Sequence, residues 1–490
     1  MTPAVVAPIL LPALLAAMML LFARQNLAVQ RVMSLAGTGG LIVLAIYLSG
    51  LGEPQAYHLG NWPAPFGIVL VADRLSALML LLVAGLAAVV ALHVVATGLD
   101  RQGASFHPLF QFQLMGLNGA FLTGDAFTLF VFFEVLLIAS YGLAVHGGGA
   151  ERLRAGVRYV ATNLVGSALF LIGLGVIYGV TGTLNLADLA GKVASLPPSD
   201  HALIRVAAVM LLVVFALKAA LVPLHFWLPG TYANTSPAVA ALFAVMTKVG
   251  AYALLRFGTL IFPPGTAATQ SLWPDILLPA ALITLIVGSL GILGSQSLGR
   301  LTAFAAIASM GTLLIALSGF TPQATTAGLY YLIHSTLAIA ALFLIADLID
   351  ARGGDEQPGG ATLPQSGLLA CVFFAVAIAV AGMPPLSGFL GKLLILQARW
   401  DQATLVWPAI LITSLVAVIG LARTGSLLFW KTPGEAASSP NPLTFAAPVL
   451  LLAALLAMTV FAGPLTDALA RTADALHDPA TYIAAQQVQP

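Results

Sequence analysis

Residues 218–257 read KAALVPLHFWLPGTYANTSPAVAALFAVMTKVGAYALLRF, and this stretch decides the fold. It joins two apolar runs, 203–228 and 235–257, across a short polar link. A helix needs about 20 apolar residues to cross the hydrocarbon core of a bilayer. Each run has that length, and each carries a lysine in its interior, Lys218 and Lys248. The pattern predicts membrane-spanning helices that bury charge.

The composition of the whole chain agrees. Of 490 residues, 60% are hydrophobic and only 8% are charged, whereas a soluble domain carries about 25% charged residues. Nineteen Lys and Arg balance eighteen Asp and Glu, so no net charge attracts nucleic acid. The single cysteine, Cys371, excludes an internal disulfide and cysteine-built iron–sulfur or zinc sites. We expect a polytopic membrane protein without a cofactor or metal.

The apolar runs are long and lack two-residue alternation, which favours helices over a barrel. The predicted fold is all-α, with no soluble domain, and the longest polar stretches, 182–202, 351–365 and 431–441, are expected to be short loops. The first run is expected to be a retained helix, because its arginines follow it rather than precede it. The runs predict about fourteen transmembrane spans, numbered here in chain order: 4–23, 32–51, 74–98, 106–123, 125–145, 156–180, 203–228, 235–257, 274–296, 300–320, 325–350, 366–398, 404–429 and 442–463.

Basic residues in the loops predict the orientation. Loops after odd-numbered spans hold ten Lys or Arg, and loops after even-numbered spans, with the tail, hold six. Because cytoplasmic loops carry the excess of basic residues, both termini are expected on the outer side of the cell (inner) membrane.

Four ionisable groups lie inside apolar runs: Glu134, Lys218, Lys248 and Lys392. Each costs about 2.5–3.5 kcal/mol at mid-membrane on insertion scales. Three lysines cannot all pair with one glutamate. A desolvated lysine can gain and lose protons, so the set suggests a proton relay. Buried ion pairs that fix helix packing are the alternative interpretation.

Other polar groups are expected to be accessible. Asp73, Asp125 and Asp347 lie near span ends, where water can reach them, and His93 is expected at the membrane interface.

Span 7 is predicted to be broken at Pro223. Proline has no N–H and clashes with the carbonyl four residues back, which belongs to Ala219 beside Lys218. On a regular helix, Lys218 and His225 would share one face, two turns apart.

Span 12, in AVAGMPPLSGFLGKLLIL, is predicted to be broken at Pro384 and Pro385, which release the carbonyls of Val380 and Ala381. Lys392 follows the break by two turns. Broken helices in both halves of a chain indicate inverted repeats with sites at their interfaces.

Span 11 carries His334, with Ser335 and Thr336 beside it and Tyr330 one turn back. His334 is either a satisfied core histidine or the link between Lys248 and Lys392.

Three stretches carry a family resemblance: FEVLLIASYGL (133–143), residues 218–257 and MPPLSGFLGK (383–392). The chain resembles the antiporter-like proton-channel family that Mrp cation/proton antiporters share with respiratory complex I, and looks most like the D-type member of the Mrp group. The resemblance implies fourteen helices, with spans 4–8 and 9–13 as inverted repeats. It also implies that Glu134 pairs with Lys218, that Lys248 is the central relay, and that Lys392 is the terminal relay of the second half.

One departure from the family concerns span 11. Many relatives carry a lysine shortly after its histidine, whereas this chain reads HSTLAIAAL. A direct lysine-to-lysine transfer is therefore in question, and His334 with bound water becomes more important.

The resulting hypothesis divides the chain into 1–105, an N-terminal three-helix segment, the two repeats at 106–257 and 258–430, and a last helix with its tail at 431–490. Its function would be that of a secondary-transporter subunit, not an enzyme. Protons would move along Glu134, Lys218, Lys248, His334 and Lys392, coupled to sodium or potassium efflux. Expected partners are other antiporter subunits, of the MrpA and MrpC type, and membrane lipid.

Three alternatives remain open. The same channel could serve a proton-pumping redox complex whose redox centres lie in partner proteins, since this chain has no cluster ligands. The chain could be a structural membrane component that transports nothing. A single-chain transporter for an organic solute fits less well, because the buried groups are mostly lysines.

Overall fold

The computed structural model describes residues 3–103, 105–352, 363–430 and 441–486. It confirms an all-α, polytopic architecture, and each predicted span coincides with one helix or with two helices separated by a break. The α-helices are α1 Ala7–Phe22, α2 Leu27–Ser49, α3 Arg74–Thr97, α4 Phe106–Leu122, α5 Ala126–Ala144, α6 Ala150–Thr181, α7 Leu186–Ala194, α8 His201–Lys218, α9 Trp227–Asn234, α10 Pro237–Phe243, α11 Met246–Leu260, α12 Leu272–Gly294, α13 Leu298–Leu317, α14 Pro322–Asp350, α15 Ser366–Ala381, α16 Ser387–Ala398, α17 Ala403–Phe429, α18 Ala446–Val460, α19 Ala462–His477 and α20 Ala480–Ala485.

Eleven helical stretches among the described residues are long and apolar enough to cross a membrane. Shorter apolar helices at Ala7–Phe22, Ser366–Ala381 and Ser387–Ala398 accompany them. The total of fourteen spans and the inverted repeats stay predictions.

The helices differ in how much of their surface is buried, and the most buried ones form the centre of the bundle. All of the apolar window of Pro237–Leu260 is buried, and 83% of the windows in α13 and α14. Only 33% of the windows of α2 and of Trp400–Phe429 are buried, so these helices turn apolar side chains outward, as a lipid environment requires. Helix α11, with Lys248, therefore lies in the core.

Short motifs begin and end these helices. Asp73 caps α3 by accepting from the N–H of Ser76 at 2.8 Å, and Asp125 caps α5 by accepting from the N–H of Thr128 at 2.7 Å. Side chains of this type satisfy N–H groups that a helix leaves free at its start.

The two predicted breaks are confirmed. Helix α8 ends at Lys218 and α9 begins at Trp227, while α15 ends at Ala381 and α16 begins at Ser387. The prolines in each gap remove the N–H that the helix needs to continue. A third break, between Phe243 and Met246, divides span 8 into α10 and α11. No proline or glycine marks it, so the sequence did not reveal it.

One loop prediction was wrong. Residues 182–202, expected as a loop, contain α7, because Asn185 caps the helix and Leu186, Leu189 and Val193 bury one face. The tail after span 14, for which no helix was predicted, also forms α19 and α20. The loops expected at 351–365 and 431–441 lie largely outside the described residues.

One small sheet was not anticipated. Strands β1 Gln55–His58 and β2 Val69–Ala72 pair antiparallel between α2 and α3, with Gln55 opposite Ala72 and His58 opposite Val69. The strands lie at the even-loop end of the protein, together with α7, α19 and α20.

Candidate functional site

Lys218 lies at the break in span 7. It is the last residue of α8, is 8% exposed, and donates a hydrogen bond from Nζ to Oδ1 of Asn163 at 2.9 Å. The carbonyl of Leu217 accepts from the N–H of Ala220 at 3.1 Å and from the indole N–H of Trp227 at 3.0 Å. Lys218 thus ends α8 at a break where Trp227 contacts the last turn of the helix.

Glu134, on α5, contacts the same neighbouring helix. Ser167 donates a hydrogen bond to its carboxylate, and Ser167 and Asn163 lie four residues apart on one face of α6. Among the described residues, no salt bridge joins Glu134 to Lys218. The pairing that the resemblance implies is therefore indirect here: α6 holds the carboxylate with one side chain and the amine with the next.

A small cavity adjoins Lys218. The volume of this cavity is about 20 Å³. One water molecule needs about 10–15 Å³, so the cavity has room for one. The lining includes Asn163 and Trp227, together with Met246 and Val249, which flank Lys248 along the chain.

A larger vestibule of about 360 Å³ lies at the end of the protein that carries the loops after odd-numbered spans. Arg154, Arg158 and Thr231 line it, and so does Trp227. Trp227 is thus a wall of both spaces and separates the vestibule from the cavity at Lys218. Its ring stacks on Tyr159, with centroids 5.3 Å apart.

Lys248 is completely buried on α11, and its Nζ has no hydrogen-bond partner within the described residues. Two other buried polar atoms have no hydrogen-bond partner among the described residues. They are Thr247 Oγ1, on the residue before Lys248, and Gln113 Oε1, on α4. Buried polar atoms are normally satisfied by protein or by ordered water, so this region is one where water binding is expected.

Gly250 explains how α11 approaches the break. A Cβ on this residue would lie 2.5 Å from the backbone N of Ala219 and 2.8 Å from the carbonyl oxygen of Phe215. Only glycine allows the two backbones to come this close.

Lys392 lies on α16, after the second break. Its Nζ donates to the carbonyl of Ala381 at 2.7 Å and to Ser414 Oγ at 2.8 Å. The carbonyl of Ala381 is one of those that the paired prolines were predicted to release. Gly382, in the left-handed region at φ 77°, leaves room for the lysine stem, because a Cβ there would lie 2.7 Å from Lys392 Cδ.

His334, on α14, faces the same space. Its Nδ1 lies 3.0 Å from Ser387 Oγ. A cavity of about 30 Å³ lies here, with room for roughly two water molecules. Its lining includes His334, Lys392, Ser335 and Tyr331. Lys248 does not line this cavity, so the structure brings together the second half of the proposed relay, His334 and Lys392, more directly than its middle.

The supporting residues divide into two groups. Ser335 lines the cavity, and Thr336 donates to the carbonyl of Leu332 at 2.7 Å. Tyr330 donates to the carbonyl of Met458 at 3.1 Å and does not line the cavity; Tyr331 does. His225 falls in the gap between α8 and α9, so the face that it would share with Lys218 on a regular helix does not exist.

Sequence reasoning missed the polar side chains that hold the ionisable groups: Asn163, Ser167, Ser387 and Ser414. Asn163 and Ser167 could have been found, because polar residues four apart in an apolar helix share a face. Nothing local marks Ser414, since its partner is 22 positions away.

Among the groups expected near water, His93 and Asp125 are buried instead, whereas Asp73 and Asp347 stay partly exposed. His93 is 1% exposed and lies 2.8 Å from a carboxylate oxygen of Asp347. Asp73 forms an ion pair with Arg256 at 2.7 Å. Burial would raise the pKa of Asp73, but Arg256 and the N–H of Ser76 hold that pKa below its usual value. His93 lies near a helix end, yet neighbouring helices cover it.

No group of three or more His, Cys, Asp or Glu among the described residues could hold a metal ion. The chemistry that the site offers is transfer of protons between amines, an imidazole, a carboxylate and hydroxyls, across small spaces with room for water.

Comparison with known proteins identifies the family. Residues 123–420 match the family described as NADH:quinone oxidoreductase/Mrp antiporter, TM. The chain is 39% identical to the D-type subunit of a probable K⁺/H⁺ antiporter of Rhizobium meliloti (strain 1021), over 97% of this chain and 96% of the relative. It is 38% identical to the D-type subunit of the Na⁺/H⁺ antiporter of Bacillus subtilis (strain 168), over 98% of both.

Solved structures are also similar. A chain of the Mrp complex from Dietzia sp. DQ12-45-1b superposes with a TM-score of 0.90 and 28% identity, over 99% of this chain and 100% of that one. A chain of respiratory complex I from Thermus thermophilus superposes with a TM-score of 0.83 and 27% identity, over 97% and 99%. The chain belongs to the family of membrane subunits that Mrp antiporters share with NADH:quinone oxidoreductase.

Proposed function

We propose that this protein is the proton-translocating subunit of a multisubunit sodium/proton or potassium/proton antiporter. Protons move along Glu134, Lys218, Lys248, His334 and Lys392. The observation that carries the proposal is that two lysines, Lys218 and Lys248, are buried in an apolar bundle and form no ion pair among the described residues.

Such lysines are costly unless their protonation changes in use. A charged amine at mid-membrane costs several kcal/mol, and packing alone would be served as well by an apolar side chain of similar size. A buried amine that can lose its proton avoids the cost in one half of a transport cycle.

The first step of the relay takes place around α6. Ser167 holds the Glu134 carboxylate, and Asn163 accepts a hydrogen bond from Lys218 Nζ, so one face of α6 places both groups of this step. When the proton moves on, the neutral amine keeps the same hydrogen bond, and little rearrangement is required.

The second half uses the cavity between His334 and Lys392. Ser387 holds the imidazole in place at 3.0 Å, and the carbonyl of Ala381 and Ser414 hold the amine. Water in the cavity joins the two groups. The missing ionisable residue after His334 makes this water-mediated route necessary.

Cation movement is assigned to the assembled complex. The relatives in Rhizobium and Bacillus are named for potassium and sodium respectively, at nearly equal identity, so both cations belong in the assay. Neighbours of the MrpA and MrpC type are the proposed partners. The redox-complex alternative is less favoured, because three relatives that are 38–39% identical over 97–98% of this chain are named as antiporter subunits.

The protein lies in the cell (inner) membrane with both termini outside. Two of the six basic residues on the even side, Arg256 and Arg399, are 4% exposed, so they add little to the loop charge there. On the odd side Arg352 is equally buried. The exposed arginines still favour the cytoplasm for the odd side: Arg24, Arg101, Arg154, Arg158, Arg300 and Arg423 there, against Arg74, Arg205 and Arg471 on the even side.

The test uses the complete complex in inverted membrane vesicles. Glu134→Ala, Lys218→Ala and Lys392→Ala each remove one relay group, and we expect each to abolish proton exchange driven by sodium or potassium. The matched control is Lys192→Ala, which removes an exposed lysine paired with Asp188 at 3.2 Å.

Assembly of each variant is checked by copurification of the other subunits. Near-normal exchange in all three assembled variants would refute the relay. Loss of exchange in Lys192→Ala as well would show that the assay reports general damage.

A further inference from the structure

We propose that a second proton-access branch joins Lys248 to the even-loop surface, through Tyr252, Ser76 and Asp73. The branch rests on the proposed function, because it has meaning only if Lys248 carries protons. It assigns a role to a buried charged cluster that the main relay does not use.

One face of α11 presents three polar residues in a row. Lys248, Tyr252 and Arg256 are spaced four residues apart, so they lie on the same side of the helix. With a rise of about 1.5 Å per residue, Lys248 and Tyr252 are separated by about 6 Å along the axis. The stripe leads from the centre of the bundle to its even-loop end.

Hydroxyl groups continue from this stripe towards α3. The hydroxyl of Tyr252 donates to the carbonyl of Phe121 at 2.8 Å, and Ser76 Oγ donates to the same carbonyl at 2.6 Å. Two hydroxyls that share one acceptor lie side by side. The backbone N–H of Ser76 holds Asp73 Oδ1 at 2.8 Å. The Ser76 hydroxyl also interacts with the Asp73 carboxylate, so the hydroxyl, not the amide, leads to that carboxylate.

Asp73 ends the chain as a charged group. Arg256 donates to its two oxygens at 2.7 and 2.9 Å, and the Asp73 side chain keeps 11% of its surface exposed. Arg256 Nε has no partner among the described residues. Because Arg256 binds both oxygens and favours the ionised carboxylate, Asp73 holds a proton only transiently and passes it between water and Ser76.

A surface pocket receives this end of the branch. The pocket beside Asp73 has a volume of about 150 Å³, and its lining includes Glu53, Arg74 and Ala468. Helix α19 supplies Ala468, and α20 supplies Tyr482, whose ring centroid lies 4.7 Å from the guanidinium carbon of Arg256. Helix α19 therefore forms one wall of the mouth, and α20 covers Arg256.

The gap between Lys248 and Tyr252 requires water. Lys248 Nζ and Thr247 Oγ1 are both buried and unpartnered within the described chain, so water molecules have donors and acceptors there. In the proposed orientation the mouth opens outside the cell. An antiporter that exports cations takes up protons from that side, which is the side that the branch serves.

The ordinary alternative is that Asp73 and Arg256 only lock α3 to α11. Both interpretations predict damage when either charge is removed, so the decisive variant is Tyr252→Phe. It deletes one hydroxyl and keeps the ring, which packs on Phe121 at 5.0 Å between centroids.

The matched control is Tyr232→Phe. Tyr232 is equally buried, and its hydroxyl also donates to a backbone carbonyl, that of Phe243 at 2.8 Å, but it lies outside the branch. Initial rates of cation-driven proton exchange are measured for both variants in the full complex. We expect Tyr252→Phe to be slower by about tenfold or more, because a positioned proton-transfer group is lost, and Tyr232→Phe to match the parent protein.

A second measurement tests the mouth without touching the branch. In a Cys371→Ser background, Ala468→Cys places a thiol in the pocket wall, and Asp467→Cys places one next to it at a position that does not line the pocket. A membrane-impermeant cationic thiol reagent, added to the outer side, should inhibit exchange only in Ala468→Cys.

The proposal is overturned if Tyr252→Phe and Tyr232→Phe have equal rates, or if complete modification of Ala468→Cys leaves exchange unchanged. These results would leave the main relay intact, provided that Glu134→Ala and Lys218→Ala abolish exchange. Normal exchange in the Glu134 and Lys218 variants would instead refute the proposed function itself.

Discussion

The close approach of α11 to the break after α8 leads to a direct test, Gly250→Ala. The added Cβ would meet the N of Ala219 at 2.5 Å, the carbonyl oxygen of Phe215 at 2.8 Å and the carbonyl carbon of Lys218 at 2.9 Å. All three are backbone atoms, so no side chain can move aside. Ordinary Cβ contacts begin at 3.4 Å, and α11 must therefore shift by about 0.9 Å, the difference between 3.4 and 2.5 Å.

Such a shift has two measurable effects. Forcing one methyl into a packed core costs about 1–3 kcal/mol, which lowers the temperature at which the purified complex unfolds. The shift also moves Lys248 relative to Lys218. A displacement of about 1 Å can cost up to about 10²-fold where function depends on placed groups, so we expect cation-driven exchange to fall at least about tenfold.

Gly175→Ala is the matched control. Gly175 lies within α6, and nothing lies within 4 Å of a Cβ built there. Alanine in an open helical position is neutral or stabilising by about 0.5–1 kcal/mol. The close-packing argument fails if Gly250→Ala unfolds at the same temperature and exchanges at the same rate as Gly175→Ala.

Two further predictions concern an ion cluster away from the lysines and the wall beside Lys218. Asp100, in the loop between α3 and α4, accepts from Arg31 at 2.6 and 2.7 Å and lies 3.0 Å from His107; burial would raise the pKa of this carboxyl, but these partners hold the pKa below its usual value. Its stabilising effect is thus present above the unfolded-state pKa and is lost as the pH falls through the lower folded-state value. We expect Asp100→Asn to destabilise the protein by about 1.5–3 kcal/mol at neutral pH and to flatten the loss of stability below about pH 4, measured by thermal unfolding against pH; a variant as stable as the parent protein at neutral pH would contradict this. Trp227→Leu should join the vestibule to the cavity at Lys218 and so raise the passive proton leak of vesicles without added cation. Trp227→Phe keeps an aromatic ring and should leak less. An equal, low leak in both variants would argue against a wall formed by Trp227.

Some features of the site depend on the chain only locally, and these could be predicted. Hydropathy identified the spans, because the bilayer requires long apolar helices wherever the chain crosses. The breaks at Pro223 and at Pro384–Pro385 followed from the missing N–H. The amines of Lys218, Lys248 and Lys392 were found because a charge inside an apolar run is visible in the sequence itself.

Other features depend on which helix meets which, and the sequence could not supply them. Asn163 reaches Lys218 from 55 positions away, and Arg256 reaches Asp73 from 183 positions away. The break between Phe243 and Met246 carries no proline or glycine. Amphipathic α7 and α19 were missed because a search for spans ignores short helices that lie against the surface of the protein.

By itself, the sequence determined that this is a polytopic helical membrane protein with broken spans 7 and 12 and with amines inside its apolar runs. The tertiary structure alone decided which polar atoms surround each amine, that Glu134 and Lys218 are held by neighbouring side chains of α6, and where space for water remains. The physical reason is that hydropathy and backbone hydrogen bonding act over one helix, whereas solvation of a buried charge depends on every helix packed around it.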